Sequence, residues 1–206
     1  MSKKKKNAWR ENIEAILVAV VIALFIRTFI VQAFKIPSGS MLETLQIGDQ
    51  ILVNKFIYGV KIPFTNGKVL IPVKDPQRND IVVFKYPEDP SKDYIKRVIA
   101  VAGDTLEIVN KKLYVNDKLV TDQPWAQYKD FRILPAQITT RDNYKKITVP
   151  ANKLFVMGDN RDNSHDSRFW GFVDLSEVRG EAIIIYWSWD KANFSARFNR
   201  IGTLLF

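Results

Sequence analysis

The chain has 206 residues, one histidine (His165), no cysteine and a formal net charge of +9. Disulfides, thiol catalysis and Cys-containing zinc sites are excluded, a lone histidine argues against a His-based metal centre, and the length suits one domain with an appended segment or insertion. Seven basic and two acidic residues fall within positions 1–35, leaving 24 and 20 for the rest, and charge gathered on a terminus rather than on the folded part points to a membrane flank and away from nucleic acid.

The first predicted element follows four lysines at residues 3–6. Residues 15–34, AILVAVVIALFIRTFIVQAF, carry a single charge, Arg27. As a helix this stretch is about 30 Å long, the thickness of a bilayer's hydrocarbon core. Arg27 lies where a long side chain reaches toward headgroups. The lysines then predict a cytoplasmic N-terminus, with the rest of the chain beyond the membrane. Two readings compete: a buried core helix, for which the chain offers no helical partner, and a cleavable leader, for which Val31-Gln32-Ala33 offers a small-x-small pattern although the stretch is long for one and contains Arg27.

Directly after it comes Ile36-Pro37-Ser38-Gly39-Ser40-Met41. Glycine between two serines permits a close backbone approach, and both hydroxyls project to one side of an extended segment. Such tetrapeptides are commonly linkers. Here a semi-apolar Met-Leu-Glu-Thr-Leu and a strand follow at once.

From there the pattern is mainly β. Short runs rich in Val, Ile, Phe and Tyr recur at 50–53, 81–86, 94–101, 105–109, 112–115, 153–157 and 181–187, each bounded by turn residues. Asn110 predicts a hairpin and Asn116-Asp117 a second turn. Within 94–101, alternation puts Lys96 on the face of Tyr94 and Val98, and Arg97 on that of Ile95 and Ile99. By pattern alone this is an edge strand with two solvated charges. A buried lysine, however, sheds its proton more readily and then serves as a base. Residues 116–150 lose the alternation and read as an inserted lobe or long loop. Asp174 is placed as N-cap of a short helical turn at 175–178. Trp187, Trp189, Phe194 and Phe198 near the end suit either packing or a membrane interface.

The segment RDNSHDSR, residues 161–168, sets Ser164, His165 and Asp166 side by side. They cannot be a triad among themselves, because adjacent side chains diverge whereas a triad converges through two hydrogen bonds. His165 serving a distant Ser40, or Lys96 serving it, both remain open on the residues alone.

Three separated stretches in order, FKIPSGSMLETLQIGDQILVNKFIYG, RNDIVVFKYPEDPSKDYIKRVIAVAGD and MGDNRDNSHDSRFWGFV, together with the basic start and anchor, resemble the bacterial type I signal peptidases. These are membrane-bound serine endopeptidases that remove signal peptides from exported preproteins. The resemblance covers nearly the whole chain. It implies a signal-peptidase/SOS-repressor-like β-barrel catalytic domain, one N-terminal transmembrane helix and a small inserted β lobe. The implied divisions are 1–14, 15–34, 35–104, 105–150 and 151–206: cytoplasmic start, anchor, first catalytic half, inserted lobe, second catalytic half. It makes Ser40 the nucleophile and Lys96 the general base, with the Ser38 hydroxyl and the Ser40 N–H as oxyanion hole. Ser164 would bond and orient the lysine amine, Asp166 and Arg168 would brace the loop as an ion pair, and His165 falls outside the catalytic set. Phe34, Ile36, Met41, Leu45, Ile51, Val83, Tyr94 and Ile95 would wall the pockets for small substrate residues of Ala-x-Ala type. The expected partners are signal peptides and the inner-membrane bilayer, with the catalytic part on the periplasmic side and no metal or organic cofactor. Glu43 departs from the family's more usual proline.

Two rivals accompany this reading. A self-cleaving Ser/Lys protease of the SOS-repressor type would need a DNA-binding helix pair where the apolar segment stands. A membrane-anchored β-domain that only binds partners would show no catalysis.

Overall fold

A computed structural model describes residues 8–61, 69–71 and 73–205; the lysines on which the expected orientation rests lie outside the described residues. Helix α1 (Ala8–Phe25) passes into a π-helical turn, Ile26–Ile30. Side chains 9–25 are all exposed. No helix among the described residues is long and apolar enough to cross a membrane, and Arg10, Glu11 and Glu14 lie within the span of α1.

The expectation of one helix over 15–34 is corrected at its far end. Residues 31–34 belong to strand β1 (Val31–Lys35), which pairs antiparallel with β2 (Asp49–Asn54) through Val31↔Asn54 and Phe34↔Ile51. An unbroken apolar run carries no period that separates helix from strand. What ends the helical stretch is a set of backbone partners supplied from twenty residues on, which local sequence does not announce.

Strands β3 (Val60–Lys61) and β4 (Val69–Ile71) make a small separate ladder. The long hairpin follows, β5 (Ile81–Tyr86) and β6 (Asp89–Val101). A second sheet is built from β7 (Thr105–Val109), β8 (Lys112–Val115), β9 (Lys118–Leu119) and β10 (Tyr144–Thr148), in the order β10-β7-β8-β9. Its two tight turns have left-handed residues in pairs, Asn110 and Lys111 at φ 49° and 68°, Asn116 and Asp117 at φ 53° and 62°. That is the type I′ geometry whose twist matches flanking strands. Strand β10 was hidden in the irregular segment because Tyr-Lys-Lys-Ile-Thr exposes most of its residues.

The remaining elements are β11 (Lys153–Met157), helix α2 (Ser167–Trp170), β12 (Val173–Asp174), β13 (Val178–Asp190) and β14 (Ser195–Ala196). The main sheet runs β1-β2-β13-β5-β6-β11-β12, with β14 added on β13. Its end strands β1 and β12 do not pair among the described residues, so the sheet is open where a barrel was expected. β12 contributes only two residues, too few to carry the ladder round.

Burial on both faces explains why β11 reads LFVM without alternation. Leu154 and Val156 pack with Val82, Phe84 and Val98 on one side. Phe155 and Met157 pack on the other with Leu106, Ile108, Leu113 and Val115 of the second sheet. The second sheet therefore shares a core with the main one. Strand β6 lies between β5 and β11 from Arg97 onward, while Lys96 is paired only with β5, so what is corrected is the solvated state expected of the two charges. Both cations are buried, at 4% and 2% exposure.

The turn foreseen at 175–178 is a 3-10 turn, Leu175–Glu177, but the Asp174 side chain does not cap it and instead pairs with Lys153 at 2.6 Å. Trp187, Trp189, Phe194 and Phe198 are all exposed, which removes them from the core.

Candidate active site

The turn between β1 and β2 carries Ser38 and Ser40. Met41 and Leu45 on this turn are fully buried against Ile51, Ile81, Val83 and Ile185, so the semi-apolar Met-Leu-Glu-Thr-Leu pins the serines to the sheet. Two residues just after β11 hold the turn from the other side. Asn160 Nδ2 donates to Gly39 O at 3.0 Å and Asn160 N to Ser40 O at 3.1 Å. Thr44 Oγ1 donates to Asp159 Oδ2 at 2.6 Å, and Asp159 receives Arg97 Nε and Nη2 at 2.9 and 2.8 Å. Arg97 also stacks its guanidinium 4.4 Å over the Trp125 ring. Asp159 and Asn160 were not singled out from sequence, and Arg97 was read there only as a strand charge, although the Gly-Asp-Asn that closes a buried strand was a visible signal.

With its carbonyls taken by Asn160, the turn leaves its donors free. Among the described residues neither the Ser40 N–H nor the Ser38 hydroxyl has a hydrogen-bond partner. Ser40 Oγ lies 2.7 Å from Lys96 Nζ, a hydrogen bond between residues 56 apart in sequence. Burial, opposed by the charges of Asp166 and Asp159 and assisted by Arg168, pushes the Lys96 amine down to about 8. The amine also sits 5.5 Å from the centre of the Tyr94 ring.

Asp166 and Arg168 meet as a buried bidentate pair, Nε to Oδ1 and Nη2 to Oδ2 both at 2.8 Å. Burial alone would raise the Asp166 carboxyl. The Arg168 charge and its hydrogen bonds outweigh this and hold it below the ordinary carboxylate range. Asp166 further accepts Gly158 N at 3.0 Å, and Arg168 donates to Arg161 O and Arg141 O at 2.7 and 2.9 Å. One pair thus ties the loop 161–168 to the end of β11 and to the second sheet's connection.

Ser164 departs from its expected contact. Its hydroxyl is buried and makes no well-formed hydrogen bond with Lys96; it faces the Asp166 carboxylate instead and helps to keep that group ionised. It does lie against the turn. A Cβ on Gly158 would collide with Ser164 Oγ and Ser40 O, closer than van der Waals contact allows. Glycine is required there by close approach. If the Ser40 hydroxyl is the nucleophile that the resemblance implies, Gly158→Ala displaces it and lowers peptide cleavage by about 10²-fold, to be measured beside an unchanged circular dichroism spectrum.

A cleft of about 550 Å³ runs past the two residues, lined by Ser38, Ser40, Tyr94, Ile95, Lys96 and Asn160, among others. Of the eight expected pocket walls, only Tyr94 and Ile95 are in it. Ile36, Met41, Leu45, Ile51 and Val83 are closed core beneath, with Phe34 packed against them. Apolar residues that hold the turn in place are consumed by that packing. The cleft also has an open sheet edge. β11 pairs with β6 only between Arg97 and Val101, leaving residues 93–96 of β6 unpaired on that side.

His165 lines the cleft's rim, with Nε2 3.3 Å from Tyr86 Oη and its ring stacked on Phe169. It makes no hydrogen bond to Ser40 or Lys96. Glu43 follows a cis peptide bond and its carboxylate pairs with Lys129 at 3.1 Å. No cluster of three or more His, Asp or Glu side chains fit for a metal occurs among the described residues.

A family model described as signal peptidase, peptidase S26, matches residues 9–187. Signal peptidase I of Pseudomonas aeruginosa is 40% identical, over 89% of this chain and 75% of its own length. Signal peptidase I of Aquifex aeolicus is 34% identical, over 87% of this chain and 84% of its own. A crystal structure of a signal peptidase I from Enterococcus faecalis aligns with TM-score 0.42 and 29% identity, over 52% of this chain and 97% of that one.

Proposed function

The chain belongs to the signal peptidase family, peptidase S26, and on that premise we propose that it removes signal peptides from exported preproteins with Ser40 as nucleophile and Lys96 as base. The carrying observation is the 2.7 Å contact between Ser40 Oγ and a buried Lys96 Nζ. Neutral Lys96 takes the Ser40 proton as Oγ attacks the scissile carbonyl carbon. The oxyanion is received by the Ser40 N–H and the Ser38 hydroxyl, one such donor being worth about 3 kcal/mol of barrier. The Lys96 ammonium returns its proton to the departing amine, and Ser40 keeps the signal peptide as an ester. Lys96 then deprotonates a water that attacks this ester, freeing the carboxylate and restoring both side chains.

The substrate residues before the scissile bond add as a strand along the free edge of β6 at 93–96. Its small Ala-x-Ala side chains would face Tyr94 and Ile95, which line the cleft. Ser164, pressed between Gly158 and the lysine's surroundings, acts as a packing support for the dyad, and Asp166 with Arg168 holds its loop. The bilayer is the partner assigned to the exposed apolar part of α1, with the N-terminus on the cytoplasmic side and the sheets on the other.

The pH–rate profile tests this reading. Because the active form is the unprotonated amine, kcat/KM should fall tenfold per unit below about 8 and level off above it. A preprotein cleaved in detergent with no such fall on the acid side of the profile would sink the lysine assignment.

A further inference from the structure

The cleft does not end at the dyad. Asn163 lines it and also lines a second groove of about 570 Å³, whose walls include Lys129, Asp130, Phe131, Arg132 and Arg141. Lys129 of this groove also pairs with Glu43, three residues past Ser40, which ties the groove's wall to the Ser40 turn. Phe131 stands on this groove with its side chain 96% exposed, the most exposed large apolar group among the described residues.

The ledge that presents Phe131 is tied down. Asp130 N donates to Asp162 Oδ2 at 2.7 Å, and the Asp130 carboxylate receives Arg132 and Arg141. Asp162 is held in turn by Lys111 at 2.7 Å. The lining charges are paired among themselves, which leaves the ring as the groove's apolar anchor. Strand geometry says what reaches it. A chain laid along the free edge of β6 meets β11 at Arg97. Having passed Lys96 it cannot continue along the sheet and must leave over the 160–163 turn, toward Asn163 and the groove.

We propose that this groove receives the substrate beyond the scissile bond, an extended segment of the mature protein that rests an apolar side chain on Phe131. This rests on the signal-peptidase reading, in which the residues before the scissile bond occupy the edge beside Tyr94 and Ile95. The contact is made before and during the reaction alike, so it sets KM and leaves kcat unchanged.

Two synthetic substrates with the same signal half test it. One stops just past the scissile bond; the other carries about ten further residues, roughly 33 Å when extended. Phe131→Ala should raise KM for the long substrate by roughly fivefold, the size expected from half-burying one phenylalanine ring, with kcat unchanged and the short substrate unaffected. Phe131→Leu should recover most of the loss. An equal change on both substrates, or none on the long one, overturns the proposal. A wild-type protein that cuts neither substrate overturns the signal-peptidase reading, and this inference with it.

Discussion

Lys96→Met is expected to reduce preprotein cleavage by at least about 10⁴-fold, and Ser40→Ala by a similar factor, with the double variant no worse than either. The methionine keeps the stem that fills the space beside Tyr94 and removes only the amine. Stability should hold or rise, since a buried amine is costly to desolvate and an apolar isostere is not. Lys96→Arg should be equally inactive, because a guanidinium cannot give up its proton near neutrality. Cleavage of a radiolabelled preprotein, run beside thermal melts of each variant, separates lost chemistry from lost fold. A folded Lys96→Met that still cuts would remove lysine from the mechanism.

Asp166→Ala is the change expected to cost most in stability, about 3–5 kcal/mol, because it leaves Arg168 buried without its counter-ion. The Gly158 N–H would lose its acceptor as well. Urea denaturation measures the loss, and Asp166→Ala combined with Arg168→Met should recover much of it by removing the stranded charge. The pH dependence has a definite sign. The folded-state carboxyl is held below its ordinary value, so its contribution is complete above the unfolded carboxyl's titration near pH 4. It is lost as pH falls through the depressed folded value. In the alanine variant that acid-limb loss should shrink.

The two results bear on different parts of one arrangement. In the proposed mechanism Ser40 and Lys96 make the contact that does the chemistry, while Gly158, Asn160 and the Asp166–Arg168 pair hold the two loops at the distance it requires. Variants in the second group should lose activity through position, and the size of each loss should follow how far Ser40 moves.

Much of this protein was legible residue by residue. The strands at 81–86, 105–109, 112–115 and 153–157 stand where the β-rich runs stood, and both tight turns are where Asn110 and Asn116-Asp117 put them. These features depend on neighbours in the chain: alternation, β-branching and the left-handed tolerance of asparagine. The bond between Asp166 and Arg168, only two residues apart, was expected from the family resemblance alone and not from the local pattern.

Tertiary structure decided the rest. The same strand pattern around Lys96 and Arg97 fits solvated and buried charges alike; pairing of β6 with β11 encloses Arg97, and the Ser40 turn laid over the open edge covers Lys96. That arrangement brings Lys96 to Ser40 and Arg97 to Asp159, across 56 and 62 residues. It also turns most of the expected pocket walls into core, because the apolar residues that hold the Ser40 turn have no surface left to offer. β1 parted from the apolar segment for a like reason, a pairing partner supplied from beyond the Ser40 turn. Spacing in sequence sets what each residue can do; burial and convergence, which depend on distant strands, determine which of those possibilities becomes a site.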